Sequence, residues 1–174
     1  MSREVPLPSD GVITLTLFRP GDAAVLCDGD HDPEHRLRFE VPDDFVPSLE
    51  HSQDVMSRWE RERAAGVRFA FAVRAADTGE LLGGCELRSL CSEAANLSYW
   101  IYPAHRLRGV ATRAVALTSQ VAFLEFRFRR LEVAIDRDNI SSRQVALRNG
   151  FRESGLRDGR VVYIQESRER AESE

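Results

Sequence analysis

Apolar positions recur along this chain with two different periods, and the changes of period lay out its elements. Apolar residues alternating with smaller or polar ones predict strands at 13–18, 67–75, 80–89, 96–102, 130–136, 151–157 and 160–166. Between 109 and 126 the spacing lengthens, and Val110, Ala114, Leu117, Val121 and Leu124 share one helical face. A shorter helix is predicted over 139–149, with Asn139 as its N-cap and Gly150 just past its end. Residues 20–65 read as helices joined by loops. Asp158-Gly159, set between two alternating runs, predicts a tight hairpin. The order predicts an α+β domain around a mixed, largely antiparallel sheet of about seven strands.

One junction carries chemistry. Tyr99-Trp100-Ile101-Tyr102 is an apolar strand, Pro103 to Gly109 a short basic turn, and Val110-Ala111 the start of a helix. A strand–turn–helix of this kind aims consecutive backbone N–H groups, and the positive end of a helix dipole, at one point. That geometry binds phosphate. Arg106-Leu107-Arg108-Gly109-Val110-Ala111 has the form R-x-x-G-x-A. Some thirty residues later Asn139, Ser142 and Gly150-Phe151 have the form N-x-x-S-(x)7-G-F. In order and spacing the pair resembles the acetyl-CoA signature of the GNAT N-acetyltransferase superfamily, and the similarity spans roughly residues 12–166.

The branch is narrower. Most of that superfamily has a tyrosine seven residues after the motif asparagine, acting as general acid toward the departing thiolate; this chain has Ala146 there. With Ser142 and the Tyr99-Trp100 pair, it resembles the RimJ/RimL-type branch, named for enzymes that acetylate ribosomal-protein N-termini. Ile13 to Ala23, containing Phe18-Arg19-Pro20-Gly21-Asp22-Ala23, is similar to that branch's opening. Phe69 to Val73, followed by Asp77 to Gly84, resembles its central hairpin.

The resemblance implies a sheet that splays beside the pyrophosphate loop. A pantetheine arm would enter the split as a pseudo-strand, pairing with the main chain of Trp100, Ile101 and Tyr102. The pyrophosphate falls to Leu107, Arg108, Gly109, Val110 and Ala111, with Arg106, Thr112 and Arg148 also at the cofactor. Asn139, which also reads as a plain N-cap, fixes the pantetheine. Ser142 serves the leaving thiolate.

The activity implied is direct acetyl transfer from acetyl-CoA to a primary amine within a ternary complex, without metal. A backbone N–H near Ile101 or Tyr102 would polarise the thioester carbonyl. The acceptor would be a peptide N-terminus or a small-molecule amine. No motif marks a general base, and Glu86, in the strand Cys85-Glu86-Leu87, is the candidate. At pH 7 an α-amine of pKa about 7.8 is roughly one-seventh neutral, but a lysine amine near 10.4 only about 0.04 %. That difference, on the order of 3.5 kcal/mol, favours an α-amine at a site without a strong base. Two other classes fit the motifs. One is a non-catalytic acyl-CoA-binding or regulatory domain; the other is a small-molecule or antibiotic-modifying enzyme using a different acyl-CoA.

Composition adds limits. A chain of 174 residues that is 43 % hydrophobic makes one domain, expected at 12–166, between an N-terminal extension (1–11) and a charged flexible tail (167–174). Met1-Ser2-Arg3-Glu4-Val5-Pro6 has no apolar signal region, and no apolar run approaches twenty residues, so neither secretion nor a membrane partner is expected. Cys27, Cys85 and Cys91 form no C-x-x-C pair and read as reduced cytoplasmic thiols. His31 and His35 are four apart, but Pro33 between them and the lack of a third ligand argue against a metal. All 24 basic residues are arginine, which excludes Schiff-base chemistry. Their scatter without interleaved aromatics argues against nucleic acid. A homodimer is compatible with everything above.

The net charge of −4 is unevenly spread. Asp28 to Asp54 holds nine acids against Arg36 and Arg38, or −7, whereas Pro103 to Arg170 holds fourteen arginines against eight acids, or +6. The basic half carries the anionic-cofactor motifs. The acidic half would overlie the acceptor cleft and favour a cationic amine.

Overall fold

In a computed structural model, which describes residues 7–167, the strands alternate with five helices. The order is β1 (Ile13–Thr16), α1 (Ala23–Gly29), α2 (Pro33–Arg38), α3 (Leu49–Ala64), β2 (Arg68–Ala75), β3 (Leu81–Cys91) and β4 (Ala94–Ile101). Then follow α4 (Val110–Leu124), β5 (Arg130–Ile135), α5 (Ile140–Arg148), β6 (Arg152–Arg157) and β7 (Arg160–Glu166). The seven strands form one sheet in the order β1-β2-β3-β4-β5-β7-β6. Every neighbouring pair is antiparallel except β4 and β5. The domain is α+β.

Most of the expected charged tail and residues 1–6 of the expected extension lie outside the described residues. Residues 7–11 are tied down: Asp10 accepts the amides of Val12 and Ile13 and pairs with Arg113 of α4 at 2.7 Å. Among the described residues no helix is long and apolar enough to cross a membrane.

The sheet's two faces differ in chemistry. Phe71, Val73, Cys85, Leu87 and Leu97 turn toward α4 and join its Ala114, Val115, Leu117 and Val121 in a buried core. Thr118 of α4 hydrogen-bonds the carbonyl of Ala114 and the Cys85 sulfur, which fixes which face this is. By alternation Gly84 and Glu86 of β3 face the other way, toward α1–α3. Trp100 stands over Gly84 on that second face; a Cβ at position 84 would lie 2.1 Å from its ring. Three buried charged residues lie on the second face. Arg74 pairs with Asp22, and Glu132 is held between Arg130 and Arg157.

The predicted hairpin at Asp158-Gly159 has φ of 50° and 81° at its two central residues, the left-handed pair that a two-residue turn of matching twist requires. The predicted strand limits hold to within two or three residues at each end. The stretch 20–65 resolves into three helices and an intervening loop over 39–48. Pro33 occupies the first turn of α2, where its missing N–H costs nothing.

Candidate functional site

The site begins where two strands part. β4 and β5 pair only over Ala94–Asn96 against Arg130–Glu132. β4 continues along β3 as far as Ile101, opposite Gly83. From Leu97 to Ile101 the β5 side of β4 therefore carries no strand partner. Tyr102 donates its amide to the Leu82 carbonyl at 3.0 Å, on the β3 side. By alternation the main-chain groups of Ile101 and Tyr99 turn into the split. Arg106 Nε takes the Ile101 carbonyl at 2.9 Å, so the Ile101 N–H is the donor turned toward the opening. Of the two amides expected to polarise a carbonyl, that of Tyr102 is already committed to Leu82.

Beyond β4 the chain makes a tight turn at Pro103–His105 and enters α4 through two left-handed residues, Leu107 (φ 58°) and Gly109 (φ 77°). Gly109 is the N-cap of α4 and provides no side-chain cap. The first N–H groups of α4, beginning at Val110, Ala111 and Thr112, have no partner inside the helix. A Cβ at Gly109 would meet nothing within 4 Å. Backbone conformation, not crowding, selects glycine here.

A cavity of about 750 Å³ runs along the split, within the range of cofactor clefts. It is lined by Trp100, Ile101, Arg106, Leu107, Gly109, Val110, Ala111 and Thr112 on one bank and Asn139, Ser142 and Arg148 on the other. Of the expected cofactor residues only Arg108 and Tyr102 stand off it. Arg108 is exposed. Tyr102 faces the second cavity described below. Asn139 caps α5: its Oδ1 accepts from the Ser142 amide at 3.2 Å and from Ser141 Oγ at 3.0 Å. Tyr99, which the sequence marks as a strand residue and branch feature without a site role, donates its hydroxyl to Ser142 Oγ at 2.9 Å. Burial pushes the Tyr99 phenol above its ordinary pKa, and the bond to Ser142 only partly offsets this.

On the other face of the sheet a second pocket of about 370 Å³ lies under α1–α3. Trp100 is at the centre of its aromatic wall, with ring centroids 6.0 Å from Trp59 and 6.1 Å from Phe39, and it stacks behind the wall on Phe18 at 6.2 Å. The Tyr102 ring packs so closely on Gly29 that a Cβ there would come within 2.3 Å, and burial pushes its hydroxyl up to about 12. Glu86 lines this pocket with both oxygens engaged, one by Ser98 Oγ at 3.0 Å and one by Arg68 at 3.4 Å. A third recess of about 340 Å³ joins Glu86 and Ser98 to Tyr99, Asn139 and Ser142.

The two large cavities share three residues: His35, Phe39 and Trp100. His35 escaped sequence reasoning except as half of the His31/His35 pair. The structure separates that pair. His35 lies inside α2, whereas His31 precedes it with Nδ1 3.0 Å from the Cys27 carbonyl. His35 Nε2 is 3.5 Å from Asp30 Oδ1, and its ring stacks on Phe39 at 4.6 Å.

The charge asymmetry resolves differently from expectation. Much of it is spent between the two halves of the chain. Arg106 pairs with Asp32 and Glu34, Arg160 with Glu40, and Arg38 with Asp136 and Asp138. Of the acids in the −7 window only Asp30 and Glu40 line the pocket under α1–α3, which also holds Arg58, Arg68 and Glu86. The field there is more balanced than the sequence count predicts. Cys85 is fully buried, and burial raises its thiol to about 12, so it is no nucleophile at neutral pH.

Known proteins resemble this chain in sequence and in fold. Probable N-acetyltransferase YjcK of Bacillus subtilis (strain 168) is 25 % identical over 117 residues, covering 66 % of this chain and 64 % of the relative. The match thus spans just under two thirds of that protein's length. The structure of Mycobacterium smegmatis RimJ in complex with CoA-disulfide superposes with a TM-score of 0.80 at 22 % identity, over 95 % of this chain and 88 % of that one. The ribosomal-protein-S5-alanine acetyltransferase of Vibrio fischeri gives 0.79 at 16 % identity, over 94 % and 98 %. At these identities the superpositions establish a common fold. Residues 13–152, which include the splayed strands, the left-handed loop and the α5 cap, match the family model of the acetyltransferase (GNAT) domain, and the chain belongs to that family.

Proposed function

We propose that this protein is an acetyl-CoA-dependent N-acetyltransferase of the RimJ/RimL type, moving an acetyl group directly to a primary amine. The observation that carries this reading is the unpartnered edge of β4, Leu97 to Ile101, running into the uncapped N-terminus of α4 along one cavity. An extended amide-bearing arm fits such an edge as an added strand, and a pyrophosphate fits the N–H groups at the helix start. The related RimJ structure holds a coenzyme A disulfide. The thioester carbonyl then meets the Ile101 N–H.

The two cavities suit a ternary complex. Acetyl-CoA lies along the split while the amine reaches the carbonyl from the aromatic pocket under α1–α3, past Trp100. The amine lone pair attacks, the tetrahedral oxygen is held by Ile101, and the C–S bond breaks toward Ser142. Tyr99 donates to Ser142, so the serine hydrogen is free to point at the sulfur. Trp59, Phe39 and Trp100 favour an amine carried on an apolar group, and Asp30 with the aromatic faces favours its cationic form on arrival. A peptide N-terminus and a small-molecule amine both meet that description. Three free cysteines support a reducing, cytoplasmic setting.

The test is a screen of amines with acetyl-CoA, including peptides with free N-termini and aminoglycosides, read as release of CoA thiol. Amine-dependent release with mass-confirmed N-acetylation supports the reading. Tight CoA binding with no release for any amine would replace it with a non-catalytic acyl-CoA-binding role.

A further inference from the structure

We propose that His35, oriented by Asp30, is the group that takes the proton from the attacking amine; this rests on the acetyl-transfer reading above. Among the described residues only His35, Phe39 and Trp100 line both the cofactor cavity and the acceptor-side pocket, and of these His35 alone titrates. The attacking nitrogen must cross that boundary. Glu86 lines the acceptor pocket and meets cofactor-cavity residues only through the third recess, and its two oxygens already face Ser98 and Arg68.

Placement of the imidazole is well determined. Asp32 caps α2 by accepting the His35 amide at 3.0 Å, and Arg106 grips Asp32 from the loop that leads into α4. Phe39 stacks on one side of the ring, and Trp100 meets it edge-on at 6.3 Å. Nε2 lies 3.5 Å from Asp30 Oδ1, an ion-pair distance; assigning the ring hydrogen to Nε2 leaves the lone pair on Nδ1. This is the carboxylate–imidazole arrangement in which the acid stabilises the imidazolium that forms.

Several charges surround the ring. Asp30 comes from the end of α1, Asp32, Glu34 and Arg38 from α2, and Arg106 from the loop before α4. His51 and Arg58 of α3, with Arg68, Glu86 and the Tyr102 hydroxyl, face it across the pocket. Burial lowers the His35 pKa most; Asp30 and Asp32 raise it and Arg106 lowers it further, leaving it below the ordinary value near 6.5. His35 is thus neutral at pH 7 and able to accept a proton.

The step balances without a co-reactant. The ammonium first gives one proton to solvent; the neutral amine then forms the C–N bond as the carbonyl pair moves to oxygen, and the proton it must still shed passes to Nδ1. The oxygen pair then returns, the C–S bond breaks, and the sulfur takes a proton from the Ser142–Tyr99 pair. His35 gives its proton to solvent, and the hydroxyls recover theirs.

The experiment follows kcat against pH, with acetyl-CoA and trialanine amide, for the intact protein and for His35→Gln, Asp30→Asn and Glu86→Gln. For the intact protein kcat should rise with pH through two limbs and then level, one from the bound amine, whose free pKa is about 7.8, and one below about 6.5. The lower limb is the one that reports His35. His35→Gln should remove that limb and lower the plateau about 100-fold or more, with thermal melting and acetyl-CoA binding retained. Asp30→Asn removes an anion that raises the His35 pKa, so its limb should move to lower pH with a smaller loss of kcat. Glu86→Gln should keep the limb. If the intact protein turns over and His35→Gln keeps both limb and plateau, or Glu86→Gln abolishes the limb, His35 is not the base. Should the Gln variant fail to fold, His35→Asn with full kcat overturns the assignment equally. If the intact protein transfers acetyl to neither trialanine amide nor any screened amine, the acetyl-transfer reading itself falls, and this proposal with it.

Discussion

Tyr99 Oη donates to Ser142 Oγ at 2.9 Å, from β4 to α5 across the open end of the split. The superfamily's usual tyrosine position, seven residues after Asn139, is filled here by the buried methyl of Ala146. A phenol nevertheless reaches Ser142, the residue proposed to serve the thiolate, from another element. Ser142→Ala should lower kcat and kcat/KM together by about 10- to 1000-fold, leaving the KM for acetyl-CoA nearly unchanged. Tyr99→Phe should cost less, and the double variant should lose little more than Ser142→Ala alone, because the two hydroxyls act in series. Steady-state kinetics on the four proteins decide it. Additive losses would mean that the hydroxyls act separately.

At Gly109 two effects can be told apart. Ala at this position meets open space but must adopt φ near 77°, so Gly109→Ala should cost about 1 kcal/mol of stability and little CoA affinity. Gly109→Glu adds an anion where the pyrophosphate is placed. Acetyl-CoA at about 100 times Kd should stabilise the parent by roughly 2.7 kcal/mol, and that shift should vanish in the Glu variant while the apo fold persists. Thermal melts with and without acetyl-CoA read both.

The sheet and the α4–α5 segment were legible because their periods are clean. Strand alternation and the 3.6-residue spacing of Val110, Ala114, Leu117 and Val121 directly reflect a core on one face. The β4–β5 split has no local signature; it came only through the resemblance, since it depends on where parallel pairing stops. The acceptor side was the least readable. Gly84 against Trp100 and Gly29 against Tyr102 are contacts between distant stretches, and no spacing within one element announces them. The pairing of the acidic run from Asp28 to Asp54 was unreadable for the same reason. Counting charges does not show that Arg106 and Arg160 come from far along the chain to neutralise part of it.

Those cross-chain pairs give stability a defined pH dependence. Burial raises the Asp32 carboxyl, but the Arg106 guanidinium and the His35 amide outweigh it and hold it below the ordinary value. Asp136 is raised by burial and brought below normal by Arg160 and Arg38. A depressed folded pKa means that the unfolded chain binds more protons, so stability rises with pH in that window. The contribution should be complete above the ordinary carboxylate pKa of about 3.9 and lost as pH falls through the depressed values. Arg106→Gln should remove the Asp32 share, on the order of 1 kcal/mol at neutral pH, and flatten denaturation curves between about pH 5 and 2. Because Arg106 also holds the Ile101 carbonyl, the variant should bind CoA less tightly as well.

The contact between Gly84 and Trp100 offers a way to disturb the junction of the two cavities from behind. A methyl at position 84 would lie 2.1 Å from the indole, an overlap that only movement of the ring can relieve. Neighbours are close on every side, with Phe18, Trp59 and Phe39 around Trp100, so the displaced ring must swing toward the shared boundary. Overpacking of this kind costs typically about 1–3 kcal/mol. Gly84→Ala should therefore lower the melting temperature by several degrees and raise the acceptor KM by about 10-fold or more, while acetyl-CoA affinity falls much less. A Cβ at position 84 points at Trp100, on the face of the sheet opposite α4. Trp100→Phe in the Gly84→Ala background should recover part of the stability, since the smaller ring leaves room for the methyl. Failure of that rescue, with acceptor KM unchanged in Gly84→Ala, would mean that Trp100 is a core residue and not a wall of the acceptor path.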